Sequence, residues 1–229
     1  MQKLEKFQTI YQRAFERKGG PKALDHILSQ PLSDNEVAKI GDDRFLAEFT
    51  KKVFQSGFVW RVVRNKWPDF ERLFWGFDID KLLLMPDEML EAKAQDPSII
   101  RNFSKVKTIR ENALMIDSIR HEHCSFAKFV AAWPSEDIIG LWTYLKKSGA
   151  RLGGNTGPYA LRALGKDTFL LTRDIESYFR QRDIISGGVQ SKTSLNAIQH
   201  SFNELQQQSG RSLQEISLII ANSVGDNYS

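Results

Sequence analysis

Apolar residues recur at helical spacing along almost the whole chain, so the pattern predicts a protein built almost entirely of helices. Leu4, Phe7, Ile10, Tyr11, Ala14 and Phe15 mark a first helix, which Gly19-Gly20-Pro21 stops. A short helix over Ala23–Ser29 follows, and Ser33 or Asp34 caps the next. Asp42 or Asp43 starts a helix carrying Phe45, Leu46, Phe49, Val53 and Phe54; Gly57 interrupts the pattern and Val59–Asn65 continues it. Pro68 fits the first turn of a helix containing Phe70, Leu73 and Phe74. Ile79–Leu84 and a short helix opened by Pro86 come next, then Ile99–Ile119, the longest regular segment. Phe126–Ala132 ends before Trp133-Pro134, Ile138–Lys147 leads into a Gly-rich turn, and Pro158 opens the helix beyond it. Thr172–Arg182, Ser194–Gln208 and Leu213–Asn222 complete the pattern, with breaks at Gly187-Gly188 and Ser209-Gly210.

Composition narrows the class. With 229 residues, 41% hydrophobic and 26% charged, the chain has the length and apolar content for an ordinary globular core. No apolar run approaches the ~20 residues a membrane span needs, and the first twenty residues lack the h-region of a signal peptide. Cys124 is the single cysteine, which excludes an internal disulfide and fits a cytoplasmic location. A net charge of +4 is a weak pointer to nucleic acid, so local clustering matters more.

That clustering is sharpest at residues 151–174, RLGGNTGPYALRALGKDTFLLTRD. Lys146, Lys147 and Arg151 precede the glycine turn, Arg162 and Lys166 follow it, and no acidic residue occurs between Lys146 and Lys166. Small residues let a backbone approach a phosphate, a helix N-terminus offers free N–H groups, and flanking cations add salt-dependent attraction. The same glycines would also serve a plain helix C-cap and turn. Asp174 follows, either as a group acting on a nucleotide or as the N-cap of an Ile175–Arg182 helix.

The glycine turn resembles the helix-hairpin-helix of the base-excision DNA glycosylases. Further blocks sharpen the likeness: FQSGFVW at 54–60, KWPDFERLFWGFD at 66–78, DPSIIRNFSKVKTIRENA at 96–113 and SFAKFVAAWP at 125–134. Their order and spacing resemble the DNA-3-methyladenine glycosylase I family over roughly residues 40–180. The most distinctive block is Ile99, Ile100, Arg101, Asn102, Lys105, Ile109, Asn112 and Ala113.

The resemblance implies an all-α, helix-hairpin-helix DNA glycosylase fold with two helical lobes around a DNA-binding cleft. It implies one domain over 1–229: an N-terminal helical extension at 1–40, a family-like core at 40–180, the hairpin region at 146–174 and C-terminal helices at 186–229. The expected activity is hydrolysis of the N-glycosidic bond of an alkylated purine, above all 3-methyladenine, after the nucleotide is flipped out of duplex DNA. The alternative is a helix-hairpin-helix DNA-binding protein without glycosylase activity.

Residue by residue, Gln55, Gly57 and Phe58 occupy the family's wedge positions and Trp60 its aromatic pocket position, unless Phe58 and Trp60 are core residues of one helix. The hairpin residues Arg151, Gly153, Gly154, Asn155, Thr156 and Gly157, with Lys166, are expected on the DNA backbone. Arg101, Asn102 and Lys105 either contact DNA and support the cleft, or cap a helix and carry surface charge. Lys52 stands where the family's base-recognising Glu would be, and alone it would repel a cationic alkylpurine. Glu48, one helical turn earlier, either supplies that carboxylate or pairs with Lys51 or Lys52. Asp174 matches the superfamily's catalytic Asp, which type members of the methyladenine family lack. Those members also carry a Cys/His zinc site. Here His121, His123 and Cys124 lack a partner pair at ligand spacing, so no metal and no cofactor is expected. The expected partner is double-stranded DNA containing alkylated bases, bound by a monomer with no membrane association.

Overall fold

The computed structural model describes residues 4–225, and among these it contains helices and no strand. In chain order they are α1 (Phe7–Arg17), α2 (Pro21–Ile27), α3 (Asp34–Val37), α4 (Asp42–Gln55), α5 (Trp60–Leu73), α6 (Ile79–Leu83) and α7 (Asp87–Ala94). Then follow α8 (Phe103–His123), α9 (Phe126–Ala132), α10 (Ile138–Ser148), α11 (Thr156–Ala163), α12 (Arg173–Gln181), α13 (Lys192–Ser209) and α14 (Leu213–Ser223).

Several boundaries differ from the sequence pattern for identifiable reasons. Pro68 lies inside α5 rather than at a helix start. Its missing N–H leaves the Arg64 carbonyl without a helical partner, and both residues are exposed to solvent. The long helix begins at Phe103, not Ile99, because Asn102 turns extended and its side chain accepts the Lys105 amide as an N-cap. Ile99 and Ile100 are buried ahead of it. Helix α11 opens at Thr156, two residues before Pro158. Ser33, not Asp34, caps α3, in a capping box with Glu36. Thr172 caps α12 by accepting the Ile175 amide at 3.3 Å, which puts Asp174 in the first turn rather than at the cap.

The chain divides into two compact units. The first comprises Met1–Leu32, Pro134–Gly140 and Asp167–Ser229. Helix α1 packs on α14, and Ile10, Ala14, Ile216, Ile219 and Ile220 are fully buried. Asp167 accepts the Leu213 and Gln214 amides at 3.0 and 2.9 Å, which satisfies donors that the start of α14 would otherwise leave open. Glu5 accepts from Arg13 at 2.8 Å and from Arg182. The Arg13 hydrogen bond, and then Arg182, outweigh burial and hold the Glu5 carboxyl at about 2.

The second unit comprises Ser33–Trp133 and Leu141–Lys166. Helix α4 is its centre and packs on α5, α8, α9 and α11. Asp42 and Asp43 open this helix and Lys52 lies in its last turn, matching the helix dipole at both ends. Its Phe45 and Phe49 meet Phe126 of α9 edge-on, with ring centres 5.3 and 5.8 Å apart. Each of these fully buried rings contributes about 2 kcal/mol of apolar burial.

Candidate nucleic-acid interface and base pocket

Three segments of the second unit build the site: the loop leaving α4, the turn entering α11, and α8. Helix α4 ends at Gln55, and the chain passes through Ser56-Gly57-Phe58-Val59 before α5 begins at Trp60. Gly57 has φ +84°, a conformation that costs a side-chain-bearing residue strain. The apolar residues of this loop point outward. Phe58 is 38% exposed and Trp60 47%, so neither is a core residue.

The turn before α11 is made by backbone. Gly154 has φ +61° with open space around the missing Cβ. Gly157 is glycine for a different reason: a Cβ there would sit 2.6 Å from the Leu152 carbonyl oxygen. The Thr156 and Gly157 amides are spent inside the turn, on Gly153 and Leu152 carbonyls at 3.3 and 3.1 Å. The Gly153 and Gly154 amides have no partner among the described residues. Arg151, also at positive φ (+59°), is exposed and donates to Ser104 at 3.2 Å; Lys146 and Lys147 are exposed.

Helix α8 holds both segments. Lys105 is only 6% exposed, and its ammonium donates to the carbonyls of Val53 (2.8 Å), Phe54 (3.4 Å) and Ser56. These are the open carbonyls at the end of α4, so Lys105 acts as a C-terminal cap supplied from another helix. The Phe58 ring lies 4.6 Å from the same ammonium. Burial, with Arg151 nearby, pulls the Lys105 ammonium below the usual lysine range. Two turns along, buried Asn112 accepts the Ala150 amide at 2.7 Å and donates to the Ala150 carbonyl at 3.2 Å.

Between loop and turn lies a cavity of about 370 Å³ lined by Lys52, Gln55, Ser56, Trp60, Gly153, Gly154, Asn155, Thr156 and Tyr159. Trp60 meets Tyr159 edge-on at 6.1 Å. Lys52 pairs with Glu48 at 3.0 Å, donates to Gln55 Oε1 at 3.3 Å and stands 5.6 Å from the centre of the Trp60 ring.

The structure thus brings Lys52, Gln55, Trp60 and hairpin residues 153–156 to one cavity and sets others elsewhere. Glu48 is not among the lining residues; its carboxylate is engaged by Lys52, which makes the pair neutral. Lys105 and Lys166 are not available to phosphates. Lys166 is 2% exposed, and its ammonium bonds Asp34 at 3.2 Å and the Ala131 and Trp133 carbonyls at 3.0 and 2.7 Å. Asn102 is a helix cap and Arg101 is exposed. Asp174 belongs to the first unit, half-buried in the first turn of α12. Tyr159 also lines the cavity, and Arg61 and Arg64 are exposed on α5 just beyond Trp60; sequence reasoning missed all three. The signal for Tyr159 was an aromatic directly after Pro158; that for the arginines was their position just beyond the wedge. Among the described residues, no group of three or more His, Cys, Asp or Glu is placed to hold a metal ion, and no helix is long and apolar enough to cross a membrane.

The family model for methyladenine glycosylase matches residues 34–160, more than half of the chain. The chain belongs to the methyladenine glycosylase family. The match ends at Ala160, so it takes in the wedge loop and the glycine turn and stops short of Asp174. No curated protein matches in sequence. Solved structures similar in fold include 3-methyladenine DNA glycosylase I from Staphylococcus aureus, 20% identical with a TM-score of 0.50, covering 62% of this chain and 82% of that one. The 8-oxoguanine glycosylase/lyase of Methanocaldococcus jannaschii, solved with a 15mer DNA, is 15% identical with a TM-score of 0.52 and covers 93% and 95%. At these identities the likeness is one of fold, and it bears out the all-α, helix-hairpin-helix class. Family membership makes the chain a base-excision DNA N-glycosylase, with DNA as its substrate.

Proposed function

We propose that the protein removes an alkylated purine, 3-methyladenine foremost, from duplex DNA by flipping the nucleotide into the Trp60 cavity. What supports this most is one juxtaposition: Gln55 and Ser56 of the segment that leads to exposed Phe58, the Trp60 ring and the open turn at Gly153-Gly154 line a single cavity. The Gly153 and Gly154 amides, Arg151, Lys146 and Lys147 grip the backbone near the lesion. Phe58 fills the gap that the extruded nucleotide leaves, and Trp60 with Tyr159 stacks the base. The neutral Glu48–Lys52 pair removes the repulsion that a bare Lys52 would exert on a cationic base.

A cationic alkylpurine leaves readily, so the remaining demand is to stabilise positive charge developing on the sugar. Asp174 takes that role in this reading, as a fixed charge or as the base that activates water. The protein acts in the cytoplasm as a monomer. The test is release of free 3-methyladenine from alkylated duplex under single-turnover conditions. Asp174→Asn should slow release ~10²–10⁴-fold with lesion-DNA affinity nearly kept. Normal release by a folded Asp174→Asn protein would remove Asp174 from the chemistry. Salt-sensitive duplex binding with no base released by the wild type would leave a DNA-binding protein without activity.

A further inference from the structure

The one charged side chain lining the base cavity is a donor. Lys52 presents an ammonium with three N–H groups and no acceptor. Glu48 takes one at 3.0 Å and Gln55 Oε1 takes a second at 3.3 Å. These partners fix the ammonium beside the Trp60 ring, 5.6 Å from its centre, and leave the third N–H for whatever enters the cavity. A purine stacked on Trp60 therefore brings one of its edges to a donor whose place is already set.

Purine edges answer a donor differently. Guanine presents two neighbouring acceptors, O6 and N7, which is the pair that lysine and arginine read in duplex DNA. Adenine presents N7 beside an N6 amino group, a donor that meets Lys52 N–H against N–H. Methylation at N3 leaves both edges intact, whereas methylation at N7 removes one of guanine's two acceptors.

We propose that Lys52 is a specificity-determining residue, and that the cavity takes alkylated guanine in preference to alkylated adenine, 3-methylguanine best. The inference rests on the base-flipping reading above and departs from it in one respect, placing 3-methylguanine ahead of 3-methyladenine among the alkylated purines. Lys52 donates to O6, with N7 alongside, while Glu48 holds the ammonium in place. The order of release is 3-methylguanine first, then 7-methylguanine and 3-methyladenine.

The experiment measures free bases released from dimethyl-sulfate-treated duplex by mass spectrometry, each rate normalised to the amount of that lesion present. In parallel, calorimetry measures binding of free 3-methylguanine and 3-methyladenine, a readout that needs no bond cleavage. Wild type should favour 3-methylguanine over 3-methyladenine in both. Lys52→Met, which keeps the length and loses the donor, should cut that preference roughly tenfold, the scale of one lost base-edge contact. Lys52→Arg, which keeps a donor, should retain it. Equal preference in folded wild type and Lys52→Met would overturn the inference, and if base is still released the glycosylase reading survives. A Lys52-dependent preference in calorimetry without any base release would support the inference and sink the reaction.

Discussion

The wedge loop and the hairpin turn face the same cavity and are built on opposite principles. At residues 55–60 the proposed function lies in side chains: Phe58 and Trp60 are exposed beyond a helix end whose Val53 and Ser56 carbonyls Lys105 bonds. At 149–157 it lies in backbone: two glycine amides are left open, and side chains are excluded by positive φ at Gly154 and by the close Leu152 carbonyl at Gly157. A side chain can recognise a base. A bare backbone amide meets any phosphate equally. The two regions should therefore fail differently, one in handling the lesion and the other in holding DNA of any sequence.

The largest effect should come from the group that keeps the wedge in shape. Lys105→Met leaves buried carbonyls at the end of α4 unsatisfied, and should lower unfolding free energy by about 3 kcal/mol in urea titrations. Base release should drop with it, while duplex affinity at temperatures where the variant is folded stays near wild type. Loss of duplex binding instead would mean that wedge and hairpin are one cooperative piece. Next, Trp60→Ala removes a stacking face and should slow single-turnover release about ten- to a hundredfold, with undamaged duplex bound as before.

The hairpin side gives a smaller and differently shaped effect. Lys146→Ala combined with Arg151→Ala should weaken binding of damaged and undamaged duplex alike, about tenfold at low salt. It should also lower the slope of log affinity against log salt by about 2. An unchanged slope would take the hairpin cations out of the interface.

Smallest is a control outside both regions. The Glu5 carboxyl, held at about 2 by Arg13 and Arg182 against an ordinary 4.5, stabilises the fold above that ordinary value and loses the contribution as pH falls towards 2. Glu5→Gln should cost about 1 kcal/mol near neutral pH, since the pair is partly solvent-screened, and the gap from wild type should close between about pH 4.5 and pH 2. Base release should be unaffected; a matching loss of activity would show that the site depends on the first unit's ion pairs.

Helices were legible because their signal is local. The spacing of Phe45, Leu46, Phe49 and Val53 needs only a 3.6-residue period, and a cap such as Asn102 needs three neighbouring residues. Pro68 misled because local reading cannot know that the solvent side of α5 tolerates a missing bond. In the site, the wedge stood out as aromatics flanking a glycine, and the hairpin as glycines flanked by cations. What stayed hidden was where each ammonium goes. Lys105 and Lys166 look in sequence like Lys146, yet the first two are buried among carbonyls and the last is exposed. Partners up to 132 positions away along the chain decide that, and no periodicity records them. Asn112 was visible as part of a family-like block, but its bidentate hold on Ala150 is a tertiary fact.

Lys105 and Asn112 lie seven residues apart on one uninterrupted helix. Two turns of α-helix rise about 10 Å and return to nearly the same face. Helix α8 is therefore a ruler as well as a support: it sets how far the loop carrying Phe58 stands from the glycine turn, in a unit that no loop rearrangement can alter. A single residue inserted between positions 105 and 112 would swing one grip about 100° away from the other. Extra residues in the exposed connection at 57–59 would leave both grips in register. The spacing of wedge loop and turn is thus written into the length of one helix segment, seven residues from Lys105 to Asn112.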